Sequence, residues 1–466
     1  VPAPPSPVPV DPLSALAALV VGAAPARAAT PADRAARVLL LDSLACAVAA
    51  RDHPAVAKAT VAATALFGGD SATGLGSSGR YGVAGAVLDS GAAIRALDFN
   101  DFYWGAGIGG HPSDLYALTL AVAESTRSNL GQLLHATAIG YEVYLRLLDL
   151  MRSDGPFDHT TAMTLAGAAA TGRLLALDTT SMTQALAIAV VRGPALSALR
   201  QGAISEAKAV APALAAINGL MAAQLAAAGI GGPVAAACGP LGLQTIVAAG
   251  ADLGRLAEPC GFGSKLVQVS VKRYPCIGTA QAAVAVACAL HRQAAAARSA
   301  IERIEFQLAD HHLVRHQTTA AYRRPEQRET ADHSFYSLLA MAMADGDVTP
   351  AQFAVGRWRD PDIHALSDRI EFSFGLAGGT DGVFAARAQA VLADGGRIAA
   401  AVDHPPGHPA APLDDAAITA KFHACVRGRL AQGRAHEVVE SCLHGSGQAP
   451  VGHLVQLLRT GNTPHA

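Results

Sequence analysis

Residues 208–233 read KAVAPALAAINGLMAAQLAAAGIGGP. After Lys208 no Asp, Glu, Lys or Arg occurs until Asp252, so the uncharged run covers 209–251. That is longer than the ~20 apolar residues that cross a bilayer. Whether it spans a membrane or forms the centre of a folded domain decides the fold class. Alanine dominates the run and contributes little to insertion beside Leu, Ile or Phe. Pro212, Asn218, Gln224, Gly231 and Pro233 interrupt it. We read it as a buried central helix followed by a turn, with Lys208 at its mouth and no membrane as partner.

Text on the N-terminal side supports that reading. Apolar residues recur at helical period over 33–51, 81–97, 114–127, 131–151, 162–177, 181–191 and 205–228. Small residues allow close helix packing, so these segments predict a crowded all-helical domain. Residues 13–29 imitate a secretory apolar region, but only a Pro/Val arm over 1–12 precedes them, with no basic stretch. On the C-terminal side the period changes. KLVQVSVK over 265–272, IERIEFQL over 301–308, RIEFSF over 369–374 and the pair flanking Asp394-Gly395-Gly396 alternate like strands. Helical text lies between them at 281–293 and 330–345, and helix returns after Asp414. The expected fold is therefore mainly α: a large all-helical domain over 13–264, completed by 406–466, and a smaller α+β lid domain over 265–405.

Composition narrows the function. The chain has 466 residues, 51% hydrophobic and 15% charged, with a net charge of −2. No basic excess exists to drive nucleic-acid binding. The seven cysteines, Cys46, Cys238, Cys260, Cys276, Cys288, Cys425 and Cys442, form no C-x-x-C pair. A reduced, cytoplasmic protein without a zinc site is expected. No phosphate-cradling glycine motif opens a helix after a strand.

The chemistry-bearing stretch is Leu97-Asp98-Phe99-Asn100-Asp101-Phe102, a glycine-rich run from Gly105 to Gly110, and His111-Pro112-Ser113-Asp114. A flexible loop would bring the acidic pair to an imidazole at a helix start, with Ser113 as N-cap and Asp114 in the positive first turn. Asp158-His159 stands ahead of another helix, where an imidazole stays neutral and suits a base. Lys208 is either an end-marker or an anion anchor. Lys272-Arg273-Tyr274-Pro275 puts two cations where the domains should meet, and domain junctions favour pockets. Tyr322-Arg323-Arg324-Pro325 and Ala331-Asp332-His333-Ser334 read as a basic turn and a solvated loop. Together these residues supply the mixture needed to remove a proton beside a carboxylate and protonate a leaving group.

In their order these motifs resemble the MmgE/PrpD family, which includes 2-methylcitrate dehydratase, cis-aconitate decarboxylase and iminodisuccinate epimerase. The acidic stretch with Gly110-His111-Pro112-Ser113, Gly140-Tyr141-Glu142-Val143, Asp158-His159, Ile204-Ser205-Glu206-Ala207-Lys208, Lys272-Arg273-Tyr274-Pro275 and Thr330-Ala331-Asp332-His333-Ser334 carry the resemblance. It implies a helical domain plus lid, a homodimer, no metal and no cofactor, and a site between the domains. Asp98, His111, His159, Lys208 and Lys272 would be catalytic. Asp101, Phe102, Ser113, Gln281 and Tyr322 would bind substrate. The implied activity is a hydro-lyase acting alpha/beta to a carboxylate or carbonyl of a small carboxylate substrate. Epimerase, isomerase or decarboxylase chemistry, or a non-catalytic ligand-binding scaffold, are the alternatives. Phe102 stands where many members carry Thr, and neither Ile277 nor Thr279 is the histidine that dehydratase-like members often carry there. Both departures make the pocket more apolar.

Overall fold

The computed structural model describes residues 11–200, 204–259, 263–376 and 384–459. Most of the Pro/Val arm and Cys260 lie outside the described residues. The uncharged run begins as the helix Ala207–Ala227 and continues beyond it as irregular turns. It is the one described helix long and apolar enough to cross a membrane, and 61% of its most apolar window is buried. The helices Val83–Arg95, Thr160–Leu174 and Thr179–Arg192 pack around it. Small residues set the spacing. A Cβ added at Gly219 would lie 2.6 Å from the Thr164 carbonyl oxygen and 2.7 Å from the Ala168 nitrogen. Alanine there would have to push two helix backbones apart, the kind of overpacking a close-packed core resists.

The secretory-like apolar text forms the helix Pro12–Gly22, capped by Asp11 on the Ser14 amide and buried through Leu13, Leu16, Ala17 and Val20. The next helix, Pro31–Ala49, starts at the Thr30 cap with proline in the first turn. The C-terminal helices Asp415–Val426 and Gln432–Leu443 pack against it. One apolar core thus joins residues from Leu13 to Val271 with Ile418, Phe422 and others up to Leu458.

A second core surrounds a four-stranded sheet in the order Ile370–Leu376, Ile301–Ala309, Ala386–Leu392, Arg397–Val402. The first pair is parallel, with Phe306 opposite Phe372. The other two pairs are antiparallel, and Gly395 at φ +80° makes the final turn. The helix Gln281–Ala297 packs on the sheet, and Phe335–Asp345 packs against that helix and meets Phe372 through Phe335 and Tyr336. A large helical unit with a smaller α+β unit is the observed fold class.

Three local expectations fail. Residues 265–272 form no strand. Leu266–Gln268 is a 3₁₀ turn, and the backbone groups beyond it are taken singly: Ser270 pairs with Phe102, and the Val271 amide donates to the Gly407 carbonyl at 2.9 Å. Of the alternating valines, Val269 and Val271 face the helical core together with Leu266, whereas Val267 is exposed. The helix expected over 330–345 is broken into Arg328–Ala331 and Phe335–Asp345. Ser334 caps the second piece on the Ser337 amide and also donates to the Tyr322 carbonyl at 2.6 Å. Finally, the glycine run is not a loose loop. Tyr103–Trp104 pairs with Gly109–Gly110, and Asp149 accepts from the Ala106 amide and the Tyr103 hydroxyl.

Candidate active site

The helix Val83–Arg95 ends three residues before Asp98, whose backbone turns into the left-handed region at φ +50°. For a residue with a Cβ that costs on the order of 1–3 kcal/mol and persists only where surroundings over-determine it. Here they do. Lys272 Nζ donates to the Asp98 carbonyl oxygen at 2.9 Å and to Oδ1 at 2.8 Å. Arg95, one helical turn back, donates to the same Oδ1 at 2.7 Å. Lys208 reaches Oδ2 at 3.4 Å. Asp98 is 1% exposed, and burial alone would raise its pKa; Lys208, Lys272 and Arg95 hold it well below the carboxylate range.

A second buried carboxylate joins from the break at 332–334. Asp332 faces Lys208 at 3.7 Å and Arg328 at 3.3 Å, and it accepts from the His333 ring. Arg328 also donates to the Ala96 carbonyl at 2.9 Å, tying the sheet unit to the turn that carries Asp98. Four cations, Arg95, Lys208, Lys272 and Arg328, therefore meet two ionised carboxylates. Cations outnumber ionised carboxylates in this buried cluster, an arrangement that suits an anion. Burial brings the Lys208 pKa down to about 8 despite Asp332 and Asp98.

Two imidazoles flank the cluster. The His111 Nδ1–H donates to the Asp101 carbonyl at 2.6 Å, which leaves Nε2 as the unprotonated atom, 3.9 Å from Asp98 Oδ1. Burial, then Arg95 and Lys272, push the His111 pKa well down. The His159 ring lies edge-on to it at 5.6 Å between centroids. His159 shares a 2.7 Å hydrogen bond with the Tyr144 hydroxyl through Nδ1 and accepts from Arg200 at 2.6 Å through Nε2. Burial holds its pKa down to about 3 although Asp158 opposes the shift. His333 points Nε2 at Asp98 Oδ2 from 3.7 Å.

The remaining sequence candidates sit around this centre in different ways. Asp101 and Ser113 are fully buried and bind each other: the carboxylate accepts from the Ser113 amide at 3.0 Å and hydroxyl at 2.5 Å, and from Tyr141 at 2.9 Å. Ser113 is thus not the expected N-cap. Pro112–Asp114 is a 3₁₀ turn leading into the helix Leu115–Ser125, and Asp101 satisfies its amide. Asp114, expected as an ionised first-turn acid, is buried, which pushes its pKa up to about 7. Gln281 spends both ends of its amide on the 273–276 backbone, accepting from Arg273 and Tyr274 and donating to the Tyr274 and Cys276 carbonyls. Phe102 packs 6.2 Å from the His111 ring and lies over Gly278, where a Cβ would come within 2.6 Å of its ring. Tyr322 touches the His316 ring, and its carbonyl accepts from the Ser334 hydroxyl.

Asp98, Asp332 and His333 bring possible ligand atoms within 4.8 Å of one another. Lys208 and Lys272 already occupy those carboxylates, and their ammonium charges oppose a metal dication there. Sequence reasoning left out Arg95, Tyr144 and Arg200, and named Asp332 and His333 within a motif without giving them a place in the site. Arg95 was signalled by its i,i+3 spacing from Asp98, and Asp332-His333 by the motif that looked like a solvated loop. Tyr144 and Arg200 carried no local signal.

Against known families, residues 14–256 match the MmgE/PrpD N-terminal domain and residues 274–445 match the MmgE/PrpD C-terminal domain.

Proposed function

The chain belongs to the MmgE/PrpD family, and from that premise we propose that it is a cofactor-independent hydro-lyase acting alpha/beta to a carboxylate. The observation that carries this reading is His111: its tautomer is fixed by the Asp101 carbonyl, and its free Nε2 faces a buried cluster with surplus positive charge. In the proposed step His111 Nε2 takes the alpha proton of the substrate. Lys272 and Lys208 hold the carboxylate oxygens on which charge develops. The C–O bond at the beta carbon breaks as the double bond forms, and His159 supplies the proton that lets hydroxide leave as water. Asp98 holds both lysines in place. Phe102, over Gly278 and beside His111, favours a substrate with an apolar substituent at that wall.

Proton NMR of the protein with a panel of small hydroxy di- and tricarboxylates tests the reaction. One member is expected to develop vinyl resonances. Loss of the alpha proton to solvent deuterium without a vinyl product would assign an epimerase or isomerase instead, and carbon dioxide release a decarboxylase. An inert panel, alpha protons included, contradicts the catalytic reading.

We also propose a homodimer. Leu214, Met221 and Leu225 form an exposed stripe on one face of the central helix, 47%, 40% and 38% exposed. Light scattering is expected to give about twice the 47.2 kDa chain mass. A monomer that persists at high micromolar concentration contradicts it.

A further inference from the structure

Arg200 is the group that the reaction just described leaves unexplained. It sits in the 3₁₀ turn Ser197–Arg200, in a connection that the sequence reading passed over. Its Nε donates to Asp158 Oδ2 at 2.5 Å, and one terminal nitrogen reaches Asp158 Oδ1 at 3.4 Å. That same nitrogen donates to His159 Nε2 at 2.6 Å. Asp158 is itself buried and fixed, because its Oδ1 also accepts from the Thr160 amide at the start of the next helix. The guanidinium is therefore clamped by one buried carboxylate onto the one ring atom of His159 that faces away from Tyr144.

This arrangement has a chemical consequence. A guanidinium has donors only, so His159 Nε2 must accept, and His159 is neutral in the free protein. The groups around the ring are Tyr144 and His111 from the helical unit, Asp158 beside it, Arg200, and Arg95 and Asp98 further off. A neutral His159 whose Nε2 accepts from Arg200 carries its one proton on Nδ1, engaged with the Tyr144 hydroxyl, and offers none at Nε2 to a leaving group. An anion is the species that competes for a guanidinium, and Arg is suited to a carboxylate through its forked geometry. Arg200 is also the part of this group that solvent reaches, with its side chain 26% exposed against 3% for Asp158.

We infer that Arg200 is a specificity-determining residue, which transfers its hydrogen bond from His159 Nε2 to a carboxylate of the bound substrate and so frees His159 to be protonated. The inference rests on the proposed hydro-lyase reading for its final step only. Binding takes up one proton from solvent onto His159 Nε2. That proton leaves with the hydroxide as water. The proton removed from the substrate stays on His111 until it is released to solvent, so the cycle balances. A substrate is then required to carry two anionic groups, one for the lysines at Asp98 and one for Arg200, with the reacting carbons between the two imidazoles.

The test uses the full chain labelled with [15N]histidine, with His159 assigned by loss of its signals in His159→Gln. Succinate serves as the probe, a dianion with no leaving group. In the wild-type protein at pH 6.5 His159 is expected to be neutral, and saturating succinate is expected to move its signals to those of imidazolium. In Arg200→Gln succinate should bind roughly tenfold or more weakly, the loss expected for a charged hydrogen bond, and His159 should protonate at higher pH without ligand. Arg200→Lys keeps the charge but not the fork and should fall between the two. Equal succinate binding in wild type and Arg200→Gln, or a His159 that ignores both succinate and the substitution, overturns the inference. Because the readout is protonation and binding, it separates from the reaction: an inert substrate panel with the His159 response intact sinks only the hydro-lyase reading. Unchanged KM and pH profile in an active Arg200→Gln sink only the role of Arg200.

Discussion

Asp98→Asn is expected to abolish turnover, by at least ~10²-fold, and to lower thermal stability measurably. The substitution keeps shape and removes the charge that Arg95, Lys208 and Lys272 share. Leaving buried charges without their partner costs about 3–5 kcal/mol in comparable buried pairs. Part of that cost is relieved because Lys208, already brought down to about 8 by burial, can give up its proton more readily once Asp98 no longer opposes the shift. The catalytic loss does not share this relief. A neutral Lys208 no longer holds a carboxylate, and the amide of Asn does not draw both lysine ammonium groups to one point. Substrate turnover and a melting curve on the same sample check both halves. Turnover within a fewfold of wild type contradicts the assignment of Asp98.

Lys421→Met is expected to have the second largest effect, although Lys421 lies far along the chain in the helix Asp415–Val426. Its Nζ donates to the Phe99 carbonyl at 3.0 Å and to the Lys272 carbonyl at 2.8 Å, and pairs with Asp42 at 2.5 Å. It therefore holds the backbone next to Asp98 and the backbone of Lys272 itself, anchored on a fully buried acid of the helix Pro31–Ala49. Removing it leaves Asp42 buried and unpaired, and the melting temperature should fall accordingly. The pair Asp42→Leu with Lys421→Met replaces both charges with apolar groups and should recover stability. Turnover should stay low in that pair, since neither carbonyl regains a donor. Recovery of turnover with stability would mean that Lys421 serves the fold alone.

The sequence was most legible where chemistry follows local rules. The uncharged run opens as a helix buried on one side and continues as turns, because its small residues let neighbouring helices approach closely. Asp98, His111, Lys208 and Lys272 stood at helix ends or beside a proline turn, and the structure brings all four together. The strand expected over 265–272 failed because its valine alternation begins inside a 3₁₀ turn with Val267 exposed, and only Val269 and Val271 follow the pleat into the core. The break at 332–334 was hidden because helical text runs through it, while Asp332 and His333 turn toward partners more than a hundred residues away. Lys421 could not be ranked from sequence: its three partners lie at positions 42, 99 and 272, and only tertiary contact makes it matter. Gln281 and Ser113, expected as substrate contacts, have their polar groups engaged by backbone and by buried side chains, a role that spacing does not distinguish from ligand binding.

The most direct measurement is exchange of the substrate alpha proton with deuterium oxide, using the acid that the NMR panel identifies, on wild type and His111→Gln side by side. Wild type should exchange the proton at or above its rate of turnover. His111→Gln, with an unchanged melting curve, should exchange at least ~10²-fold more slowly. Equal exchange in the two proteins would remove His111 as the base and contradict the account.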